Sequence, residues 1–178
     1  MRVLRRTVWY IASRLFLVCL ILGIAITVFY YAMNLSNIQI IVKDGMAKRA
    51  KVIMGIDGDS GGLGKYFQTA CMSSDTELMA ALNGNSAYAD YKVRGIDHRL
   101  ELGFVWIWPW ETTARLNITE NIPRIDGRAK GTKADELIEK NGPGALYPPE
   151  WAEGRYRITL IKENNQWKIK NMTPVPTH

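Results

Sequence analysis

The chain has 178 residues, 23 of them basic and 17 acidic, and it is 47% hydrophobic, which suits one domain with an appendage. Four of the 23 basic residues are arginines before residue 15, and taking them away leaves 19 basic against 17 acidic residues. Such a near-equal number of basic and acidic residues argues against a nucleic-acid-binding face. The two cysteines, Cys19 and Cys71, exclude the disulfide-rich secreted class.

The first predicted element is a membrane-spanning helix over residues 15–33. Its sequence, LFLVCLILGIAITVFYYAM, has no charge, and at about 1.5 Å per residue its length matches a hydrocarbon core of roughly 30 Å. A cleaved signal peptide is the alternative, but its apolar region would be shorter and would end in small residues. This run ends in Phe29, Tyr30 and Tyr31, as at a membrane interface. An uncleaved signal anchor is therefore favoured.

The residues before the span predict its orientation. No acidic residue accompanies the four arginines there, which are Arg2, Arg5, Arg6 and Arg14. The positive-inside rule then places residues 1–14 in the cytoplasm and residues 34–178 outside the cytoplasmic membrane. An outer domain of this size without a disulfide is more typical of a bacterial envelope than of an animal cell surface.

The segment after the span is predicted to be an amphipathic helix over residues 38–54, which can continue the membrane helix. Its apolar residues share one helical face, although Gly45 weakens the helix: Ile38, Val42, Met46, Ala50 and Ile53. We expect this face to pack on its own domain; self-association is the alternative. The glycine-rich segment 55–64 is predicted to be a connector, because its resemblance to calcium and phosphate loops is incomplete.

Two short helices are predicted next. The first is GKYFQTACM, residues 64–72, and the second is DTELMAALN, residues 75–83. Ser74 and Glu77 are predicted to form a capping box for the second helix, and Gly84 to end it.

Beyond Tyr88 the periodicity changes to two, which predicts strands. In the first strand, which should end at Pro109, alternate apolar residues share the inner face: Leu100, Leu102, Phe104, Trp106 and Trp108. A second strand is predicted over residues 112–122. Residues 126–150 are predicted to be a polar insertion with a brief helix at 133–140. The segments RYRITLIKE and QWKIKNMTPV then form a predicted hairpin around Asn164 and Asn165.

Helices followed by antiparallel strands predict an α+β fold with helices packed on a curved antiparallel sheet. The closing EGRYRITLIKENNQWKIKNM, with its Trp167-Lys168-Ile169 arm, resembles the nuclear-transport-factor-two-like, or cystatin-like, superfamily. The likeness is one of topology and covers residues 38–173.

Membrane-anchored members of that superfamily include scaffold subunits of bacterial conjugation and type IV secretion channels. The segment ALYPPEW, residues 145–151, is similar to uncharacterised membrane proteins of spore-forming bacteria. The resemblance implies a cone-shaped outer domain on a single anchor. It transfers no catalytic residue.

Few residues offer catalytic chemistry. Asp97 and His98 are strand neighbours and should point to opposite faces, so they are not expected to form a dyad. The acidic residues of the strand region are interpreted as a solvated face rather than a glycosidase pair: Asp97, Glu101, Glu111 and Glu120. Since metal-ligand spacing, nucleophile motifs and cofactor fingerprints are absent from the sequence, we expect no enzyme, no metal and no cofactor.

The main hypothesis is a non-enzymatic scaffold subunit that assembles with itself or with other envelope proteins in transport, conjugation or sporulation, and that binds no nucleic acid. The candidate contacts with a partner or with the bilayer interface are Pro109, Trp110, Tyr147, Pro148, Pro149 and Trp151. The alternative is a binding module whose cone holds a lipid, a glycan or a small hydrophobic ligand. The candidate lining of that cone is His98, Phe104, Trp106 and Trp108.

Overall fold

The computed structural model of the protein describes residues 2–176 and the side chains of residues 8–176. The side chains of Arg2, Arg5 and Arg6, used above to predict orientation, lie outside that description. Helix α1 runs from Arg2 to Ile53 without interruption, and its 52 residues give a length of about 78 Å at 1.5 Å per residue. The predicted span and the predicted amphipathic helix are therefore one continuous helix.

The two halves of α1 have different surroundings. From residue 8 to residue 33 almost every side chain is exposed, and among the described residues α1 is the one helix long and apolar enough to cross a membrane. Farther along, Ile38, Val42, Met46 and Ala50 are fully buried. This confirms the predicted buried face and shows that it packs on its own domain.

Helices α2 (Thr69–Ser74) and α3 (Thr76–Leu82) follow a 3₁₀ turn over Gly61–Lys65. The helix predicted from residue 64 begins only at Thr69, because residues 66–68 pair with the last strand. The Gln68 amide donates to the Ile169 carbonyl at 2.9 Å, and the Ile169 amide donates to the Tyr66 carbonyl at 2.7 Å.

The predicted capping box of α3 is wrong. The Asp75 carboxylate, rather than Ser74, accepts the hydrogen bond from the Leu78 amide, at 3.1 Å. The Ser74 hydroxyl instead donates to the Cys71 carbonyl at 2.9 Å. Gly84 ends the helix as predicted, with a φ of 77° that favours glycine.

Four antiparallel strands form one sheet in the order β1-β2-β3-β4. Their bounds are Tyr91–Leu102, Thr113–Ala129, Gly154–Glu163 and Gln166–Pro174, and helix α4 (Gly131–Asn141) with a 3₁₀ turn (Pro143–Leu146) joins β2 to β3. The predicted hairpin is confirmed, since Asn164 and Asn165 have φ values of 47° and 64°. The brief helix is confirmed too, whereas the insertion starts later than predicted because β2 continues to Ala129.

The core lies between α1 and the inner face of the sheet. The side chains that β2, β3 and β4 contribute alternate along each strand and are almost fully buried: Ala114, Leu116, Ile118, Ile122, Ile158, Leu160, Trp167 and Ile169. The α+β fold class, with helices on a curved open sheet, is thereby confirmed.

Candidate functional site

The connection between β1 and β2 is an exposed aromatic loop, residues 103–112. The strand predicted to reach Pro109 ends at Leu102, and the inward–outward alternation breaks at Gly103, whose amide donates to the Asn117 carbonyl at 2.8 Å. Beyond that point Val105 and Ile107 are buried, with 4% and 0% of their surface exposed.

The predicted cone lining is therefore wrong for three of its four residues. Phe104, Trp106 and Trp108 are 82%, 58% and 43% exposed, because Val105 and Ile107 occupy the interior in their place. His98 does lie on the inner face and is largely buried. Trp110 is exposed, as expected, and its contact with a partner stays a prediction.

The aromatic loop packs on α1 at the end of the predicted span. The Tyr31 and Trp106 ring centroids are 5.3 Å apart. Trp106 is followed edge-to-face by Trp108 at 5.5 Å, and Trp108 stacks on Trp110 at 5.3 Å. The four rings thus form a row that starts on α1.

Hydrogen bonds fix the loop at this place. The Tyr31 hydroxyl donates to the Val105 carbonyl at 3.4 Å, and the amide group of the buried Asn34 donates to the Pro109 carbonyl at 3.3 Å. Within the loop, the Glu111 carboxylate accepts from the Trp108 amide at 2.7 Å. The exposed rings therefore stand on a backbone that is already ordered.

The second predicted contact cluster, residues 147–151, is divided between surface and interior. Tyr147 is 57% exposed, with the Arg128 guanidinium 5.9 Å from its ring centroid. Pro149 is exposed and Pro148 is half-buried. Trp151 is half-buried and stacks on Tyr88 at 6.2 Å. Tyr147 and Pro149 remain candidate contacts, whereas Trp151 forms part of a cleft wall.

Inside the domain lies an ion cluster, made of Arg49, Asp75, Glu77, His98 and Glu120. Arg49, on α1, is 2% exposed. Its guanidinium donates to both Asp75 oxygens, at 2.5 and 3.0 Å, and to Glu77 at 2.8 Å. Glu120, on β2, is fully buried and forms a 2.9 Å hydrogen bond with His98. The cluster joins α1, α3 and the sheet.

Burial and charge set the protonation of the buried groups. Burial disfavours the charge of Arg49, but the hydrogen bonds and negative charges of Asp75, Glu120 and Glu77 together outweigh it, so the pKa of the guanidinium is raised. Burial, together with the nearby Asp75 carboxylate, raises the pKa of the Cys71 thiol to about 11. The Cys71 thiol is therefore protonated near neutral pH and is a poor nucleophile.

The ion cluster is what the sequence interpretation missed. The prediction of a solvated face is wrong for Glu120, which follows Ala114, Leu116 and Ile118 at a spacing of two and lies fully buried on the inner face. Arg49 lies three residues after Met46, which places it on the edge of the buried face of α1. Asp97 does not pair with His98, as expected, and bonds the exposed Arg99 instead.

No group of three histidine, cysteine, aspartate or glutamate side chains suited to a metal ion occurs in the part of the chain that the structure describes. Fold and site together define a class: an α+β domain built onto a single long apolar helix, with an aromatic loop beside that helix. No protein-family model matches the chain, and the searches of curated proteins and of solved structures found no significant match. The superfamily resemblance thus stays a prediction.

Paired substitutions in the aromatic loop should separate its anchor from its surface. Ile107→Ala should lower the free energy of unfolding by about 2–5 kcal/mol, because it empties a fully buried site. Trp110→Ala should change it by about 0.5 kcal/mol or less, since the ring is 72% exposed. Urea denaturation of the full-length protein in micelles, followed by circular dichroism, measures both. Equal losses in the two variants would show that Trp110 belongs to the core.

Proposed function

We propose that the protein is a non-enzymatic, membrane-anchored assembly subunit whose outer domain makes protein–protein contacts in a bacterial envelope complex. The unbroken course of α1 carries the proposal. The same helix that offers an apolar surface before residue 34 supplies the central core residues after it. A domain built in this way has a fixed height and direction above the bilayer, which suits a subunit that must meet neighbours in the membrane plane.

The proposed orientation has a cytoplasmic N-terminus and an outer domain. It is supported by the arginines that precede the span and by the near-neutral charge of the rest of the chain. The superfamily resemblance favours conjugation, secretion or sporulation as the setting.

The ion cluster supports a structural role rather than catalysis. Asp75 and Glu77 are both bound to Arg49, and Glu120 is bound to His98. Each of these groups is engaged with another member, as expected of a network that holds elements together.

The exposed pair of Tyr147 and Pro149, which we term the proline surface, is the proposed protein contact. Full-length protein extracted from its own membranes in mild detergent should run in native electrophoresis as a complex of discrete mass. Tyr147→Ser combined with Pro149→Ser should release the protomer, because the exposed ring and its rigid neighbour are lost. Glu150→Ser, at a neighbouring exposed position, is the matched control. A protomer mass for the unaltered protein, also after cross-linking in the membrane, would refute the assembly role.

One observation favours a second function, ligand binding. A cleft of about 360 Å³ opens between α3 and the start of β3, and its wall includes Tyr88, Trp151 and Tyr156. This volume lies at the lower end of the range for small-molecule sites. A small hydrophobic ligand or a sugar would lie against the stacked Tyr88 and Trp151 rings. Native mass spectrometry should then show a bound small molecule that Trp151→Ala removes.

A further inference from the structure

We propose that the aromatic loop, residues 103–112, is a second membrane contact, with its tryptophans in the headgroup region of the outer leaflet. The inference depends on α1 crossing the bilayer and is independent of the assembly role. The loop contacts the lipid surface itself rather than another protein.

The depth of the loop follows from its contacts with α1. Tyr31 belongs to the uncharged run of residues 15–33, and the Trp106 ring lies 5.3 Å from the Tyr31 ring. The other attachment, from Asn34 to Pro109, lies three residues farther along the helix, or about 4.5 Å along its axis. The loop therefore occupies the level at which α1 leaves its apolar run. A bilayer that covers Tyr30 and Tyr31 also reaches Trp106.

The chemistry of the loop fits that depth. The segment GFVWIWPW, residues 103–110, has no charged side chain. Its exposed rings are Phe104, Trp106, Trp108 and Trp110. Tryptophan is enriched at the membrane–water interface because its ring is apolar while its N–H keeps a polar partner. The one carboxylate within residues 103–112, that of Glu111, belongs to a half-buried residue and accepts from the Trp108 amide.

The loop is also prepared for insertion. Val105 and Ile107 hold it to the core, and Asn34 holds it to α1. Little conformational entropy is then lost when the rings enter the interface. A site for a protein or a sugar could lie at any distance from the bilayer, whereas a lipid contact must lie at the membrane surface, where the loop is placed by α1.

Brominated lipids, which quench tryptophan emission on contact, test the proposal with the full-length protein. Trp9→Phe removes the tryptophan that precedes the span, and the protein is reconstituted in neutral phosphatidylcholine vesicles with or without bromine on the upper acyl chain. We expect bromine to lower the emission roughly twofold, since three of the five remaining tryptophans would lie at the interface. Replacing Trp106, Trp108 and Trp110 with phenylalanine should abolish this quenching, whereas Trp151→Phe, the matched control, should preserve it.

An added reporter, Phe29→Trp, distinguishes the ways in which the proposal can fail. It lies in the span and is placed in the variant that lacks the loop tryptophans. Quenching of this reporter without quenching of the loop tryptophans would overturn the membrane contact while leaving the span in place. If neither is quenched, α1 does not cross the bilayer and the inference fails with its premise.

Discussion

Replacing Arg49 with alanine should lower the free energy of unfolding by about 3–5 kcal/mol, the range for breaking a buried ion pair from one side. Arg49 is 2% exposed, and its loss leaves the Asp75 carboxylate without a cation. Fully buried Glu120, whose second oxygen lies 3.8 Å from the guanidinium, loses that positive charge as well. The free-energy cost of burying these carboxylates, which the guanidinium offsets, then destabilises the folded state. Urea denaturation of the full-length protein in micelles measures the change.

Arg99→Ala is the matched control for this prediction. Arg99 also forms an ion pair, with Asp97, but its side chain is 67% exposed. Water screens such a pair, so the expected loss is much smaller than that for Arg49→Ala. Adding Glu120→Gln to Arg49→Ala should recover part of the larger loss, because it removes one uncompensated charge. Losses of the same size for Arg49→Ala and Arg99→Ala would show that the ion cluster contributes no more than a surface pair.

Replacing Gly45 with valine should have the second large effect. It should lower the free energy of unfolding by about 1–3 kcal/mol, because the site becomes overpacked. A β-carbon at Gly45 would lie 3.0 Å from the Tyr66 β-carbon and 3.4 Å from side-chain atoms of Phe67 and Ile169. Valine adds two further methyl groups at the same place. The better helix propensity of valine offsets only part of this strain.

Gly23→Val, in the same helix, is the control. A β-carbon there meets nothing within 4 Å, so the unfolding of the domain should be unchanged. Denaturation curves of both variants, compared at equal detergent concentration, give the difference. A stabilised Gly45→Val protein would mean that α1 and residues 66–67 can move apart.

Gly45 shows where inference from the sequence stops. Its residue type signals only a weakened helix. The reason for glycine is a close approach by residues 66–67, which pair with β4 and have no local signal. The buried face of α1 was predictable, by contrast, because Ile38, Val42 and Met46 repeat at helical spacing. The hairpin was predictable too, because two asparagines tolerate positive φ.

The aromatic loop could not be assigned to the correct side from periodicity. Both alternating sets are apolar there, with Phe104, Trp106 and Trp108 in one and Val105 and Ile107 in the other. A period of two cannot show which of two apolar sets faces the core, and the larger side chains favour the aromatic set. The choice is made by contacts with Tyr31 and Asn34, more than 70 residues earlier in the chain. The ion cluster escaped prediction for a different reason: the spacing of two does place Glu120 on the inner face, but its approach to Arg49 exists only in the folded domain.

The continuity of α1 fixes the rotation of the predicted span relative to the folded domain. Each residue of an α-helix turns the chain by about 100°, so one residue inserted between Asn34 and Ile38 would swing the body a quarter-turn or more about the helix axis. A different N-terminal helix fused to the domain would have to continue α1 in the same helical register to preserve this orientation. Any tilt or rotation of the N-terminal half of α1 would therefore be passed directly to the folded domain.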